Sequence, residues 1–156
     1  MEKIQISRLI DRNEPRKVLD EVRQIFVSHY SPSFFGDISK CYKKVDRLYK
    51  GKFTGYRACN TQYHDLKHIM DTLLAIARLL DGYILKEQKK VDVRLAVNLF
   101  RAALLHDTGY IQEDWDTAGT GAKYTKIHVR RSVVFVKENR NELMLSDPDI
   151  SQISTF

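Results

Sequence analysis

Residues 91–107 read VDVRLAVNLFRAALLHD, and this stretch decides the fold. Ala96, Leu99, Ala103 and His106 follow one another at steps of three, four and three, which places them on one face of an α-helix. A histidine therefore continues an inward-facing apolar row, and an aspartate comes directly after it. Neighbouring residues on a regular helix point about 100° apart, so His106 and Asp107 can face one ion only at an irregular or terminal turn. The TGY that follows supplies such a turn, with Gly109 expected as the helix stop.

Outward from this helix the same spacing recurs, and no run alternates convincingly with period two, so the expectation is an all-α bundle of five to seven helices. A first helix is predicted just after Glu14, with Pro15 at its first position and Val18, Val22, Ile25 and Phe26 inward, until SHYSPS stops it. A second covers about Gly36 to Tyr49 and ends at Gly51. A third begins near YHDL, buries Ile69, Leu73, Ile76 and Leu80, and closes at Gly82. Beyond the quoted helix, a polar loop (TGYIQEDWDTAGTGAKYT) leads to a fifth, KIHVRRSVVFVKENRNEL, whose inner face would carry Val129, Val133 and Val136. A last helix starts at LSDPDIS, with Ser146 or Asp147 as its cap and Pro148 early in its first turn.

A chain of 156 residues, 43% hydrophobic and 29% charged, suits one domain with its own core, and no linker or repeat divides it. Cys41 and Cys59 match neither a zinc knuckle nor a disulfide framework, and fit reduced thiols of a cytoplasmic protein. The charged N-terminal stretch MEKIQISRLIDRNEPRK has no signal-type apolar core, and Asp71 and Arg78 break the longest apolar run, so no membrane segment is expected. The net charge of +6 concentrates in residues 40–57, where Asp46 alone opposes seven basic side chains. A solvated lysine-rich face accounts for this; attraction of a phosphate-bearing molecule is the second reading, and nucleic acid a weak one, since Tyr42, Tyr49, Phe53 and Tyr56 form no strand-like stacking platform.

Chemistry concentrates in the histidines. Of five, His29 falls at a helix end, while His64, His68, His106 and His128 all fall at starts or ends of inward-facing helices. Imidazole nitrogen with carboxylate oxygen is a ligand set for first-row divalent metals, and helix ends from different parts of a bundle can converge on one pocket. Each stretch has a bland reading too: Asp65 as a helix cap beside two histidines in YHDLKH, and a C-terminal helix histidine beside a capping carboxylate in LLHD. The His64/His68 spacing of i and i+4 also occurs in metalloproteases, but the glutamate base is absent and no third-ligand pattern follows, which excludes that class.

Taken in order, YHDLKH, LLHDTGY and KIHVRRS resemble the HD superfamily of metal-dependent phosphohydrolases over about residues 60 to 145. The resemblance implies a bundle of the HD-domain type, with residues 61–145 as the metal-binding core and residues 1–60 as a helical extension packed on it. It implies that His68, His106 and Asp107 bind a divalent metal (Mn, Fe, Zn, Co, Ni or Mg), Asp107 also holding the attacking water, and that His128 serves a second ion. The YHxxxH form is similar to the cyclic nucleotide phosphodiesterase branch, in which His64 would protonate the leaving alkoxide. The family's last ligand, an aspartate on a later helix, has only Asp147 and Asp149 as candidates here, and solvated capping is the expected role of both. The chain is therefore expected to be a fragment lacking the last helices of the family fold.

The expected function is hydrolysis of a nucleotide or related small phosphoester. Its alternative is a non-catalytic nucleotide- or metal-binding sensor with an incomplete site, and a third option is di-iron oxygen chemistry, which some relatives perform. Lys67, Lys123 and Lys126 are candidate phosphate anchors, with solvent exposure the preferred reading. Glu113, Asp114 and Asp116 are read as loop-solubilising charges, and Trp115 and Tyr124 as residues buried against the core. Oligomeric state is left open.

Overall fold

Pro15 opens α1 (Pro15–His29), where its fixed φ suits the first helical position, and Val18, Val22 and Phe26 form its buried row. Tyr30 is extended, and a second proline starts α2 (Pro32–Tyr49), four residues before the expected Gly36, so Gly36 lies inside the helix. The structure, a computed structural model, describes residues 10–156. Residues 1–9 of the charged N-terminal stretch, expected to carry no signal segment, lie outside the described residues.

Asp65 caps α3 (Leu66–Glu87), which runs through Gly82 instead of stopping there and ends at Gln88 in the left-handed region. A helical glycine costs about 1 kcal/mol, and burying Ile84 beyond it offsets that cost. Asp92 accepts from the Arg94 and Leu95 amides to start α4 (Val93–Leu105). Two short helices complete the set, α5 (His128–Glu138) and α6 (Asp147–Ile153). Among the described residues the fold is all-α, as expected, with a lone bridge between Tyr56 and Glu113 as its nearest approach to a strand. None of these helices is long and apolar enough to cross a membrane.

α1 packs on α3, α2 on α4, and α3 on α4, while α6 closes one end of α4. Phe26 of α1 lies 5.8 Å from Phe35 of α2 and 5.6 Å from Phe100 of α4, so the aromatic centre of the core joins three helices. In the basic segment, Lys44 pairs with Glu142 at 2.5 Å and Lys50 with Asp46 at 2.7 Å. Tyr49 and Phe53 are buried, and Phe53 and Tyr56 pack on Phe135, so these aromatics belong to the core and offer no stacking surface.

Helix α5 departs from its expected face. Val136 is buried, but Val129 is 64% exposed, and the inward residues are Ser132, Phe135 and Val136. The helix packs against the turn after α4, whose exposed backbone groups need a polar partner, and that requirement rotates Ser132 inward.

The start of α6 also differs from expectation. Ser146 forms a capping box with Asp149, but Asp149 is 1% exposed rather than solvated. Its carboxylate accepts from Arg94 Nε at 2.7 Å, Arg94 Nη2 at 2.6 Å and Asn98 Nδ2 at 3.0 Å, and buried Arg101 lies 3.6 Å away. Asp147 is exposed and pairs with Arg140. Burial pushes the Asp149 carboxyl up, but the hydrogen bonds from Arg94, Ser146 and Asn98 outweigh it and hold the group below the usual range.

A carboxyl depressed in the folded state contributes stability that is complete above its unfolded value of about 4 and is lost as pH falls below it. Urea unfolding followed by circular dichroism should therefore show stability falling below about pH 4. Asp149→Ala should weaken this dependence and cost about 3 kcal/mol at pH 7, because it removes the buried carboxylate shared by Arg94 and Arg101 and leaves both guanidiniums only Asp37 as a carboxylate partner among the described residues.

Candidate metal centre

Three segments bring the site residues together. At the start of α3, Tyr63 takes a left-handed φ of 70°, and Asp65 Oδ1 accepts from the His68 amide at 3.0 Å, so His64 precedes the cap and His68 occupies the first turn. The bland reading of Asp65 as a cap is thus correct and is compatible with a site. At the other end of α4, His106 keeps helical angles while Asp107 moves to φ −107°, ψ 9°. That break lets adjacent side chains face one centre, as the terminal-turn argument requires. His128 is the first residue of α5.

The four imidazoles surround one carboxylate. His64 Nδ1 lies 2.7 Å from Asp107 Oδ2, His106 Nε2 3.2 Å and His68 Nε2 3.3 Å from the same oxygen, and His128 Nε2 3.7 Å from Oδ1. Asp107 is 2% exposed, whereas each imidazole reaches solvent at the rim. Burial would raise the Asp107 carboxyl, but hydrogen bonds from His106 and His64 outweigh it and hold it at about 2. Burial lowers His68, and with the neighbouring His106 and His64 it outweighs the Asp107 charge; in His106 burial also lowers the pKa, but the bond and charge of Asp107 together with the Ala103 carbonyl outweigh it and the net shift is upward.

Tautomers follow from the backbone. His106 Nδ1 contacts the Ala103 carbonyl at 2.9 Å and His128 Nδ1 the Thr125 carbonyl at 2.7 Å. A carbonyl only accepts, so both Nδ1 atoms carry hydrogen and both Nε2 atoms are turned toward Asp107. One carboxylate balances one imidazolium, and a second, neutral Nε2 would meet the carboxylate lone pair to lone pair. A cation between them removes that repulsion, and separations of 3.2 and 3.3 Å suit ligands held about 2.1 Å from one ion. The set whose ligand atoms lie close enough to share one divalent ion is His64, His68 and Asp107, one atom of each within 4.8 Å of the others, so His64 falls among the candidate ligands. His106 Nε2 and His128 Nε2 face the same carboxylate from its other sides.

The remaining candidates lie elsewhere or do other work. His29 pairs with Asp81 at 2.7 Å, and Asp147 and Asp149 hold Arg140 and Arg94, so neither late aspartate supplies a further ligand. Lys123 is exposed, as expected, and its ammonium donates to Asp116 at 2.5 Å. Asp116 itself is buried and also accepts from Tyr124; the Lys123 and Tyr124 hydrogen bonds hold its carboxyl at about 2. Glu113 pairs with Arg131, so two of the three loop acids lock the loop in place. Trp115, expected inside, is 79% exposed.

Several supporting residues carry no sequence signal as strong as the histidines. Tyr110 stacks on both His64, at 4.2 Å, and His128, at 4.5 Å, each nearly parallel to it, and the two imidazoles are 6.3 Å apart. Ser132 donates to the His106 carbonyl at 2.6 Å and accepts from Gly109 N at 2.8 Å; Arg131 Nε donates to the Gly109 carbonyl at 2.8 Å. Ser132 lies one turn after His128, on the same helix face, which is the one cue the sequence offered. Gly109 does not stop α4, which ends at Leu105. A Cβ there would sit 2.0 Å from the His128 carbonyl and 2.7 Å from Ser132 N, so its missing side chain lets α5 approach.

No family model matches the chain, and no curated protein or solved structure shows significant similarity to it.

Gly109→Ala should push α5 away from the doublet, lowering stability by about 1–3 kcal/mol or more. Metal stoichiometry after dialysis against Mn2+ should fall with it, as read by thermal melts and elemental analysis; an unchanged protein would contradict the close packing.

Proposed function

We propose that this chain is a metal-dependent phosphohydrolase of the HD type, acting on a small phosphoester with one or two divalent ions held by His68, His106, Asp107 and His128. The observation that carries this reading is the pair of imidazoles whose Nδ1–H groups are fixed on carbonyls while Nε2 faces a buried carboxylate. The order of the histidine motifs in the sequence supports it independently.

His68, His106, Asp107 and His128 would hold the divalent ion, which would supply an activated water near neutral pH and offset charge on the phosphoryl oxygens. Asp107 supplies the negative charge and, through His64, a second function. Ionised Asp107 only accepts, so His64 Nδ1 donates to it, which orients the ring and leaves Nε2 for proton transfer to a departing oxygen. Stacking on Tyr110 holds the plane of that ring. His68 in the first turn of α3 and His128 at the start of α5 bring two helix N-termini to the cluster, and their partial positive charge favours a phosphate there.

A second reading of His64 has its own support in its range to His68 and Asp107: that it is a ligand. His64→Gln separates the two. As an acid, it should retain metal and lose about 10²- to 10⁴-fold in kcat; as a ligand, it should lose metal as well. Asp107→Asn should abolish both metal retention and phosphate release from model phosphoesters in Mn2+. Wild-type protein that holds stoichiometric metal yet turns over no phosphoester would replace the enzyme with a binding module, and iron with oxygen consumption would replace it with oxygen chemistry.

A further inference from the structure

The imidazole rim opens on one side into a cavity of about 460 Å³, whose wall includes His106 and His128 themselves. Ile76, Leu99, Ala102, Val133, Ile153 and Phe156, from α3, α4, α5 and the C-terminal end of α6, make most of the rest. This is within the size range of pockets for small organic ligands, about 300–1,000 Å³.

Its few polar groups are almost all committed. Thr72 Oγ1 donates to the His68 carbonyl at 3.0 Å, and Ser132 Oγ donates to the His106 carbonyl while accepting from Gly109 N. Ser154 Oγ is the exception, a buried hydroxyl with no partner among the described residues. A nucleobase brings several donors and acceptors, and in this cavity most would be left without partners at a cost that disfavours them. A hydrocarbon group incurs no such cost.

We propose that this cavity seats an apolar substituent of the phosphoester, a straight or branched hydrocarbon group, with the phosphoryl group at the imidazole cluster. The enzyme thus selects alkyl phosphoesters over nucleotides. The proposal rests on the phosphohydrolase reading above. It derives from the continuity between the two regions: His106 and His128, whose Nε2 atoms face Asp107, also line the cavity, and His106 Nδ1 rests on the carbonyl of Ala103, another lining residue.

The test uses the full chain in Mn2+ with two series from methyl to octyl. One is n-alkyl phosphates, read by phosphate release; the other is n-alkylphosphonates, which cannot be hydrolysed at the carbon–phosphorus bond, read by calorimetry. Each methylene should improve phosphonate affinity about fourfold until the cavity is full. Hexyl phosphate should exceed AMP in kcat/KM. Val133→Trp and the milder Ala102→Leu should flatten the chain-length dependence while metal content persists.

Phosphate release without any dependence on chain length would overturn the cavity assignment and leave the hydrolase standing. Phosphonate affinity that rises with chain length, without turnover of any ester, would support the cavity and overturn the hydrolase. A stable dimer that Val133→Trp dissociates would overturn the assignment in favour of a second copy of the chain on this face.

Discussion

The structure depends on one buried carboxylate. Asp107 is 2% exposed and has no arginine or lysine partner among the described ion pairs, so its charge is balanced by imidazoles or by a cation they hold. A desolvated charge tolerates little error in the position of its partners. Each imidazole is accordingly fixed by something other than Asp107: His106 and His128 by backbone carbonyls, His64 by the Tyr110 ring, and His68 by its place in a capped first turn.

That requirement explains why the segment between α4 and α5 is ordered despite its polar composition. Gln112 is buried and donates to the Asp116 and Ala118 carbonyls, while its own amide oxygen accepts from Asn60 Nδ2 at 2.7 Å. Arg131 joins the Gly109 and Ile111 carbonyls to Glu113 and lies 3.6 Å from the Tyr124 ring centre. These bonds fasten α5, which begins with His128, to the turn that carries the doublet. A site that must present ligands within fractions of an ångström is better built on such a latched turn than on a free loop.

Helix α4 is held at both ends. Near its start Arg94 and Asn98 grip Asp149 of α6, and at its end Ser132 accepts the amide and supplies the hydroxyl that the last turn needs. The same helix contributes Phe100 to the aromatic centre of the core and Leu99, Ala102 and Ala103 to the cavity beside the cluster. Core, cluster and cavity are thus three faces of a single rod, which couples stability to the geometry of the site.

Local signals fixed what depends on neighbours along the chain. Pro15, Asp65 and Ser146 mark helix starts, and the spacing of Val18, Val22 and Phe26 or of Ile69 and Leu73 marks buried faces, because capping and periodicity act over one or two turns. The histidine pattern likewise indicated which side chains could meet. What it could not indicate was set by packing between elements: burial of Ile84 carries α3 past Gly82, the backbone needs of the turn at Gly109 rotate Ser132 inward and leave Val129 in solvent, and Arg94 makes Asp149 a buried anchor. The stacking of Tyr110 on two imidazoles and the apolar cavity beside them exist only once α3, α4 and α5 converge. Sequence alone determined the helices and the chemistry available to them; the tertiary structure decided which polar groups are desolvated, and desolvation is what turns a histidine beside an aspartate into a candidate site.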